Sequence, residues 1–560
     1  MDTSAIQRRR WIILGVLVVG LLAIVIDNTV LNVALKTIAN PKGGLGASQS
    51  QLEWAINSYT LVFAGLLFTF GVVGDRIGRK RVLIIGLALF GIGSLLSAYS
   101  HSPDQLIAAR AAMGLGGAAV MPQTLSIIAN VFEPGERAKA IGIWTSAVGI
   151  GVAIGPVLGG LLLTHFWWGS VFLINVPVTI AGGIAAFFLV PESRNPSPGR
   201  IDYLGVLGSV LGLVLVVFGV VQGGDGVSWL SAGVLGPLLG GLAVLALFVW
   251  HESRIEHPSL DVRLFKNRTL SASVGSIALL FFGMGGVYFF TSFYLQNVRG
   301  YSPLEAGALA VPFALAQFLM APRSSTLVNR FGVRAVGVAG MLLNAVAIGG
   351  YTFIGTSSPI WIVAVLYFVQ GAGLGLAIPA ATASVMQALP RERAGAGSAL
   401  SNTARQVAVA LSVAVLGSIL AQVYRSSLSP TLAQLPASAR GAAGTSITAT
   451  QALAAHLGRA GEFLLGPASS SFVDAMRVTT AIAAAIAVVG AIAVARWMPG
   501  KPRPSAEEIE ALIAFEIEAA ERELSMAAQV RAQESGENSN SSAGERAVAS
   551  TFRSTEPLDG

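Results

Sequence analysis

Apolar residues along this chain come in runs of about 20, the length that carries a helix across a hydrocarbon core. Fourteen such runs are legible, near 11–35, 51–72, 82–100, 104–128, 138–163, 170–190, 203–222, 230–250, 269–295, 303–323, 335–354, 360–386, 394–423 and 471–497. They predict an all-α polytopic membrane protein, and an even count puts both termini on one side. Basic residues fall mainly in alternate connections. Those assigned inside carry Arg8–Arg10, then Arg76, Arg79, Lys80 and Arg81, then Arg137 and Lys139, then Arg194 and Arg200. Further along come Arg254, Arg263, Lys266 and Arg268, then Arg330 and Arg334, then Arg391 and Arg393. The short outside connections carry little beyond Lys42 and Arg299. The bias predicts cytoplasmic termini. The first run is too long for a signal peptide, and no small-residue cleavage site follows it.

The pattern also repeats. Arg76, Gly78 and Lys80 match Arg330, Gly332 and Arg334; Met113, Gly114 and Gly116 match Gln370, Gly371 and Gly373; Glu136 and Arg137 match Glu392 and Arg393. The near-constant spacing predicts two six-helix halves, 11–190 and 269–497, joined by a linker, 191–268, that holds two extra spans. Parallel six-helix repeats are an architecture of secondary transporters. Residues 1–10 form an inside N-terminus. Residues 424–470, rich in Ala, Gly, Ser and Leu, form a long outside loop in which a short helical hairpin is plausible. In the tail, 498–560, Ser505 and Glu508 suggest a capping box. A cytosolic helix would follow to about Arg531, and the Ser-, Asn- and Glu-rich remainder cannot build a core.

Composition agrees: 53% of residues are hydrophobic and 12% charged, against about 25% charged in a soluble domain. The net charge of +7 does not point to nucleic acid, because the Lys and Arg lie between spans. Absence of Cys excludes disulfides, thiolate nucleophiles and Cys-based metal sites. No Gly-Lys-Ser/Thr phosphate loop is present, which argues against an ATPase. His251 and His257 are six positions apart, not the four of a zinc-protease pair, and read as a solvated inside loop. No cofactor, metal or enzymatic reaction is expected.

Ionisable residues deep in spans are the sharpest functional signals. Asp27 in the first span and Arg110 in the fourth each fall roughly 10 Å from the outer surface. They could meet across a cavity. An unpaired Asp27 would cost about 3 kcal/mol on insertion scales. Burial raises a carboxyl pKa and a nearby Arg lowers it, so a group under both influences can load and release a proton as solvent access changes. A structural ion pair or a snorkelling Arg is the plainer alternative. Arg405, about 16 Å into its span beside Asn402 and Gln406, reads equally as a substrate or coupling group or as a structural partner. Phe281, Phe282, Tyr288, Phe289, Phe290 and Tyr294 could line an apolar pocket or simply pack.

Between the second and third spans lies a short cationic turn with one acid, Gly71 to Leu83, holding Gly71, Gly74, Asp75, Arg76, Gly78, Arg79, Lys80 and Arg81. Its glycines permit close backbones, and its charges need an aqueous surface. This loop resembles the signature of the major facilitator superfamily. The chain from 11 to about 497 resembles that superfamily's fourteen-helix drug:proton antiporter family, of multidrug-efflux type. Three more strings carry the likeness: Asp27, Asn28, Thr29, Asn32 and Ala34 in the first span; Arg110, Gly114 and Gly116 in the fourth; Gly151, Gly155, Pro156, Gly159 and Gly160 in the fifth. Lys36 and Met113 depart from the family pattern, and Asn329 and Tyr367 stand where the first half has Asp75 and Arg110.

The resemblance implies two halves that rock about a central cavity. Asp27 would be the protonation site, tuned by Arg110. Gly71, Asp75, Arg76, Gly78 and Arg79 would form an inner latch against a helix of the other half, and the fifth-span glycines and Pro156 would mark an exporter. Asn28, Tyr59, Trp144, Tyr288, Tyr294, Asn402, Arg405 and Gln406 are candidates for the substrate cavity. The expected partners are small amphipathic molecules, protons and membrane lipid, with a proton gradient as energy source, in a monomer at the plasma membrane. One deep acid favours monovalent or neutral substrates over divalent cations. Rival readings are a dedicated exporter of an endogenous metabolite or lipid, and a transporter-shaped sensor or scaffold that works through its tail.

Overall fold

The computed structural model describes residues 3–498 and 500, apart from 195–201, 225–226, 256–257, 259, 390–393, 437–439 and 442. The chain divides into Met1–Gly500 and Lys501–Gly560. The second unit lies outside the described residues, as do His257, Arg200, Arg391, Arg393 and the expected tail helix. The described residues contain no strand. The helices are α1 Thr3–Ala39, α2 Gln49–Ile77, α3 Arg79–Ala98, α4 Pro103–Val131, α5 Pro134–His165, α6 Asn175–Leu189, α7 Tyr203–Gly224, α8 Ala232–Glu252, α9 Arg268–Phe293, α10 Val311–Phe331, α11 Val333–Gly350, α12 Ile360–Gln387, α13 Ala394–Leu432 and α14 Leu465–Trp497.

Twelve stretches of helix among the described residues are long and apolar enough to cross a membrane, and a thirteenth if the two arms of α2, bent by 53°, form one span. Fourteen are not reached among the described residues, where α5 contributes only the shorter apolar helix Ile150–His165.

The two halves repeat in detail. The α2–α3 and α10–α11 turns both pivot on a glycine in the left-handed region, Gly78 with φ 120° and Gly332 with φ 86°. A side chain there would be strained. At Gly78 it would also strike the Glu192 carboxylate, about 2.5 Å away. That carboxylate accepts from the Lys80 backbone N–H and lies 3.6 Å from Arg81.

The ends of the bundle away from this cationic turn are called outer below. Among the described residues, the hydrogen bonds that join α1 to α9 and the turn after it lie at these outer ends. Ser292 donates to the Asn32 carbonyl at 2.6 Å, Gln296 to the Val33 carbonyl at 3.0 Å, and Lys36 to the Gln296 carbonyl. Lys36, a departure from the family pattern, thus bonds one half to the other.

The connection after α13 is more helical than expected. α13 itself runs on to Leu432, and Ile447–Leu457 is helical before α14 begins. The reading of His251-Glu252 as solvated loop is corrected. Glu252 is fully buried and accepts from the Leu260 N–H at 3.0 Å, and His251 lies 3.1 Å from Asp202. The two inner ends of the α7–α8 hairpin are therefore pinned together. Burial pushes the Asp202 carboxyl up, but the Gly205 N–H and the His251 and Glu252 side chains outweigh it and hold it below its ordinary range.

Candidate functional site

Asp27 and Arg110 meet. Both are 1% exposed, and Arg110 Nη1 donates to Asp27 Oδ2. Helix rise had put them at one depth, and packing of α1 against α4 supplies the contact. The pair is enclosed in protein rather than spread across an open cavity. Its lone pairs and donors are well used. Asn175 Nδ2 donates to Asp27 Oδ1 at 3.0 Å and to Ser94 Oγ at 3.0 Å. Arg110 Nε donates to the Ala55 carbonyl at 3.1 Å, and its guanidinium lies 4.4 Å from the Tyr59 ring centroid and 5.8 Å from that of Phe172. Breaking such a buried pair costs about 3–5 kcal/mol, because the surviving charge is stranded.

Asn175 and Ser94 are site residues that sequence reasoning missed. Asn175, the first residue of α6, is uncharged and gives the sequence no signal. Its target depends on the rotation of α6, which hydropathy does not report.

The fifth-span glycines press α5 onto α1, the helix that carries Asp27. A Cβ at Gly151 would sit 2.8 Å from Val25, one at Gly155 would overlap Thr29, and one at Gly159 would sit 2.9 Å from Val30. A Cβ at Gly160 would meet the other half instead, 2.5 Å from Leu304 Cα, and the Pro156 carbonyl packs where Gly307 has no side chain. One ladder thus touches both the ion pair's helix and the outer closure.

At the inner turn, Asp75 pairs with Arg79 at 2.8 Å within its own half, Arg76 lies exposed, and Gly71 sits against Pro122. No hydrogen bond or ion pair joins Asp75 to the other half among the described residues. Of the residues expected to form the latch, Asp75 is thus bonded within its own half.

The cavity candidates divide. Asn28 donates to the Tyr59 hydroxyl at 3.1 Å. Arg405, half-buried, donates to Asn402 Oδ1 at 2.7 Å and lies 5.3 Å from the Phe281 ring centroid. Tyr59 is fully buried, with its ring against the Arg110 guanidinium. Gln406 is half-buried on the same helix, α13. Trp144 instead donates to Thr124 Oγ1 at 3.1 Å and is 7% exposed. Tyr294 is fully buried, with its hydroxyl donating to the Gly355 carbonyl at 2.8 Å. These two pack within the protein and are withdrawn as cavity lining. Phe289 and Phe290 are fully buried, whereas Phe281, Phe282 and Tyr288 keep partial exposure.

The second half's counterpart is neutral. Tyr367, at Arg110's repeat position, lies 5.6 Å from Tyr288 and 6.3 Å from Tyr351, ring to ring. Among the described residues of this half, the Tyr288 hydroxyl and the amides of Asn344 and Gln370 are buried with no partner.

Comparison with known proteins agrees with this architecture. A family model described as Major Facilitator Superfamily matches residues 17–413. The chain is 35% identical over 497 residues to the multidrug efflux pump LfrA of Mycolicibacterium smegmatis, covering 88% of this chain and 97% of that protein. It is 34% identical to the methyl viologen resistance protein SmvA of Salmonella typhimurium, covering 75% and 84%, and 33% identical to the tetracenomycin C resistance and export protein of Streptomyces glaucescens, covering 75% and 77%. In structure it resembles a bacterial homologue of the human lysosomal transporter Spinster, crystallised inward-facing and unoccupied, with TM-score 0.60, 20% identity, and coverage of 88% and 99%. Two repeated helical halves, the signature turn between α2 and α3 and the family match together place this multi-pass membrane protein in the Major Facilitator Superfamily.

Proposed function

We propose that this protein exports amphipathic small molecules across the plasma membrane in exchange for protons, by alternating access, with both termini cytoplasmic. The observation that carries the reading is the enclosed Asp27–Arg110–Asn175 cluster on α1, α4 and α6. Names of the relatives, which include a multidrug efflux pump and resistance and export proteins, support export as the direction.

Protonating Asp27 would cancel the charge that Arg110 was buried against. The guanidinium would keep the Ala55 carbonyl and the faces of Tyr59 and Phe172, but not its counter-ion. A buried unpaired cation favours any arrangement that lets water reach it. Arg405, on the other half, would then face an uncompensated like charge. Loss of one carboxylate charge therefore loosens the contact between the halves, and α5, wedged on both α1 and the Pro303–Ala308 segment, carries the change to the outer closure. In the alternate state Asp75 and Arg79 would exchange their local pair for contacts across the inner side. Each charge moved inward gains about 2.3 kcal/mol per 100 mV.

Substrate would lie between the halves, near Asn28, Asn402, Arg405, Gln406 and the exposed faces of Phe281 and Phe282. Two arginines close to that space disfavour dications. SmvA's name, with methyl viologen a dication, makes this a point on which the two proteins would differ. Purified protein in liposomes with an internal pH dye tests the reading. Added substrate should drive proton movement in the wild type, and Asp27→Asn should abolish it while the protein remains folded. Normal uphill transport by Asp27→Asn would sink the mechanism.

A further inference from the structure

A second cavity, of about 650 Å³, lies at the outer end, away from the ion pair. It is walled by the loop of the α7–α8 hairpin and by the last turns of α13 with the chain that follows. Glycine makes the seam. A Cβ at Gly224 would come within 2.5 Å of Ser418, and one at Gly223 within 2.8 Å of Trp229. Across it, Trp229 Nε1 donates to Gln422 Oε1 at 3.0 Å and Ser418 Oγ to the Val220 carbonyl at 2.9 Å.

Two guanidiniums, Arg425 and Arg440, enter this wall. Arg425 donates to the Gly224 carbonyl at 3.2 Å, and Arg440 to the Leu435 and Ala433 carbonyls at 2.7 and 2.9 Å. Those three bonds use a minority of the ten N–H donors that two guanidiniums carry. Neither forms an ion pair among the described residues. Asp225, in the hairpin loop, lies outside them. Two like charges in one wall repel, and an oxyanion between them removes that cost. Guanidiniums match phosphate in a bidentate fork. Ser228, Ser426 and Ser429 add hydroxyls, while Leu230, 84% exposed, supplies an apolar margin beside Trp229.

Depth identifies the class of ligand. α13 has 39 residues, roughly 58 Å of helix, against a hydrocarbon core of about 30 Å. Its outermost turns, with Gln422 and Arg425, therefore stand at headgroup level, where indole rings also settle.

We propose that this outer cavity binds the phosphate of an amphipathic anion, with Arg425 and Arg440 as its ligands and Trp229 and Leu230 against its apolar portion. Occupancy clamps the extra hairpin to α13.

Native mass spectrometry of the full chain in neutral detergent, titrated with phosphatidylglycerol and with phosphatidylcholine, tests this. The wild type should retain phosphatidylglycerol preferentially. R425Q/R440Q should lose about tenfold or more of that retention, and R425K/R440K, which keeps the charges but not the fork, should fall between. Thermal melting with inorganic phosphate separates the sources: protection by phosphate alone means a free oxyanion suffices, and protection by phosphatidylglycerol only means a lipid headgroup is read. Equal retention of the two lipids by the wild type, or retention by a folded R425Q/R440Q within about twofold of wild type, a change too small for two lost charge-assisted hydrogen bonds, overturns the proposal.

Discussion

The two halves share a backbone plan but differ in charge at one repeated position. Around Arg110 in the first half, Asp27 and Asn175 are drawn into one bonded set in which the carboxylate balances the guanidinium. Tyr367, at the repeat position in the second half, packs against Tyr288 and Tyr351, and the Tyr288 hydroxyl and the amides of Asn344 and Gln370 in the same half are buried without a partner among the described residues. A buried charge must be paired, so its site is closed and costly to disturb. Buried neutral groups without partners instead suit water or a ligand's own hydrogen bonds. On the proposed function, the charged cluster of the first half would hold the proton, and the neutral site of the second half would have no part in it.

Perturbing the first half should have the largest effect. Arg110→Leu strands Asp27 as an unpaired carboxylate and should cost about 3–5 kcal/mol, read as a lower melting temperature, with coupled transport lost. Arg110→Lys should restore little, because an ammonium cannot bond both the Ala55 carbonyl and Asp27 while stacking on Tyr59. Full activity of Arg110→Lys would show that charge alone matters. Next in size, Gly155→Val forces a branched side chain onto Thr29 and should cost about 1–3 kcal/mol by overpacking. Transport should fall further than stability, since the same ladder bears on Asp27's helix and on the outer closure.

Substitutions in the second half should go the other way. Asn344→Leu and Gln370→Leu each remove an unpartnered buried amide, whose desolvation costs about 1–3 kcal/mol. Melting temperature should hold or rise, protons moved per substrate should not change, and KM should shift. Losses matching those of Arg110→Leu would erase the contrast between the halves. The smallest effect is expected of Lys36→Met, which removes one bond between α1 and the turn after α9. A loss of about 1 kcal/mol or less should appear as faster opening of the outer side, measurable by spin-label distances.

Some of this could be read from the chain because the physics is one-dimensional. Fixed helix rise gives depth, so Asp27 and Arg110 could be matched before any fold was known, and constant spacing gave the repeat that Gly78 and Gly332 bear out. What failed depends on azimuth and on closure in space. Trp144 and Tyr294 are cavity candidates in the sequence, but helix rotation turns their polar atoms onto Thr124 and Gly355. Asn175 carries no charge to draw attention. Glu252 and His251 look solvated because hydropathy sees charges flanking a span, not two hairpin ends folding back onto Asp202. The cavity at Arg425 and Arg440 needs two distant segments and had no sequence signal.

Difference infrared spectroscopy of the carboxyl stretch, with Asp27→Asn as the blank, tests the central claim most directly. A band of protonated Asp27 should appear and vanish as pH or substrate drives the cycle, and should be missing from the variant. A carboxylate at this position that stays ionised throughout, unmoved by substrate or gradient, would contradict the account.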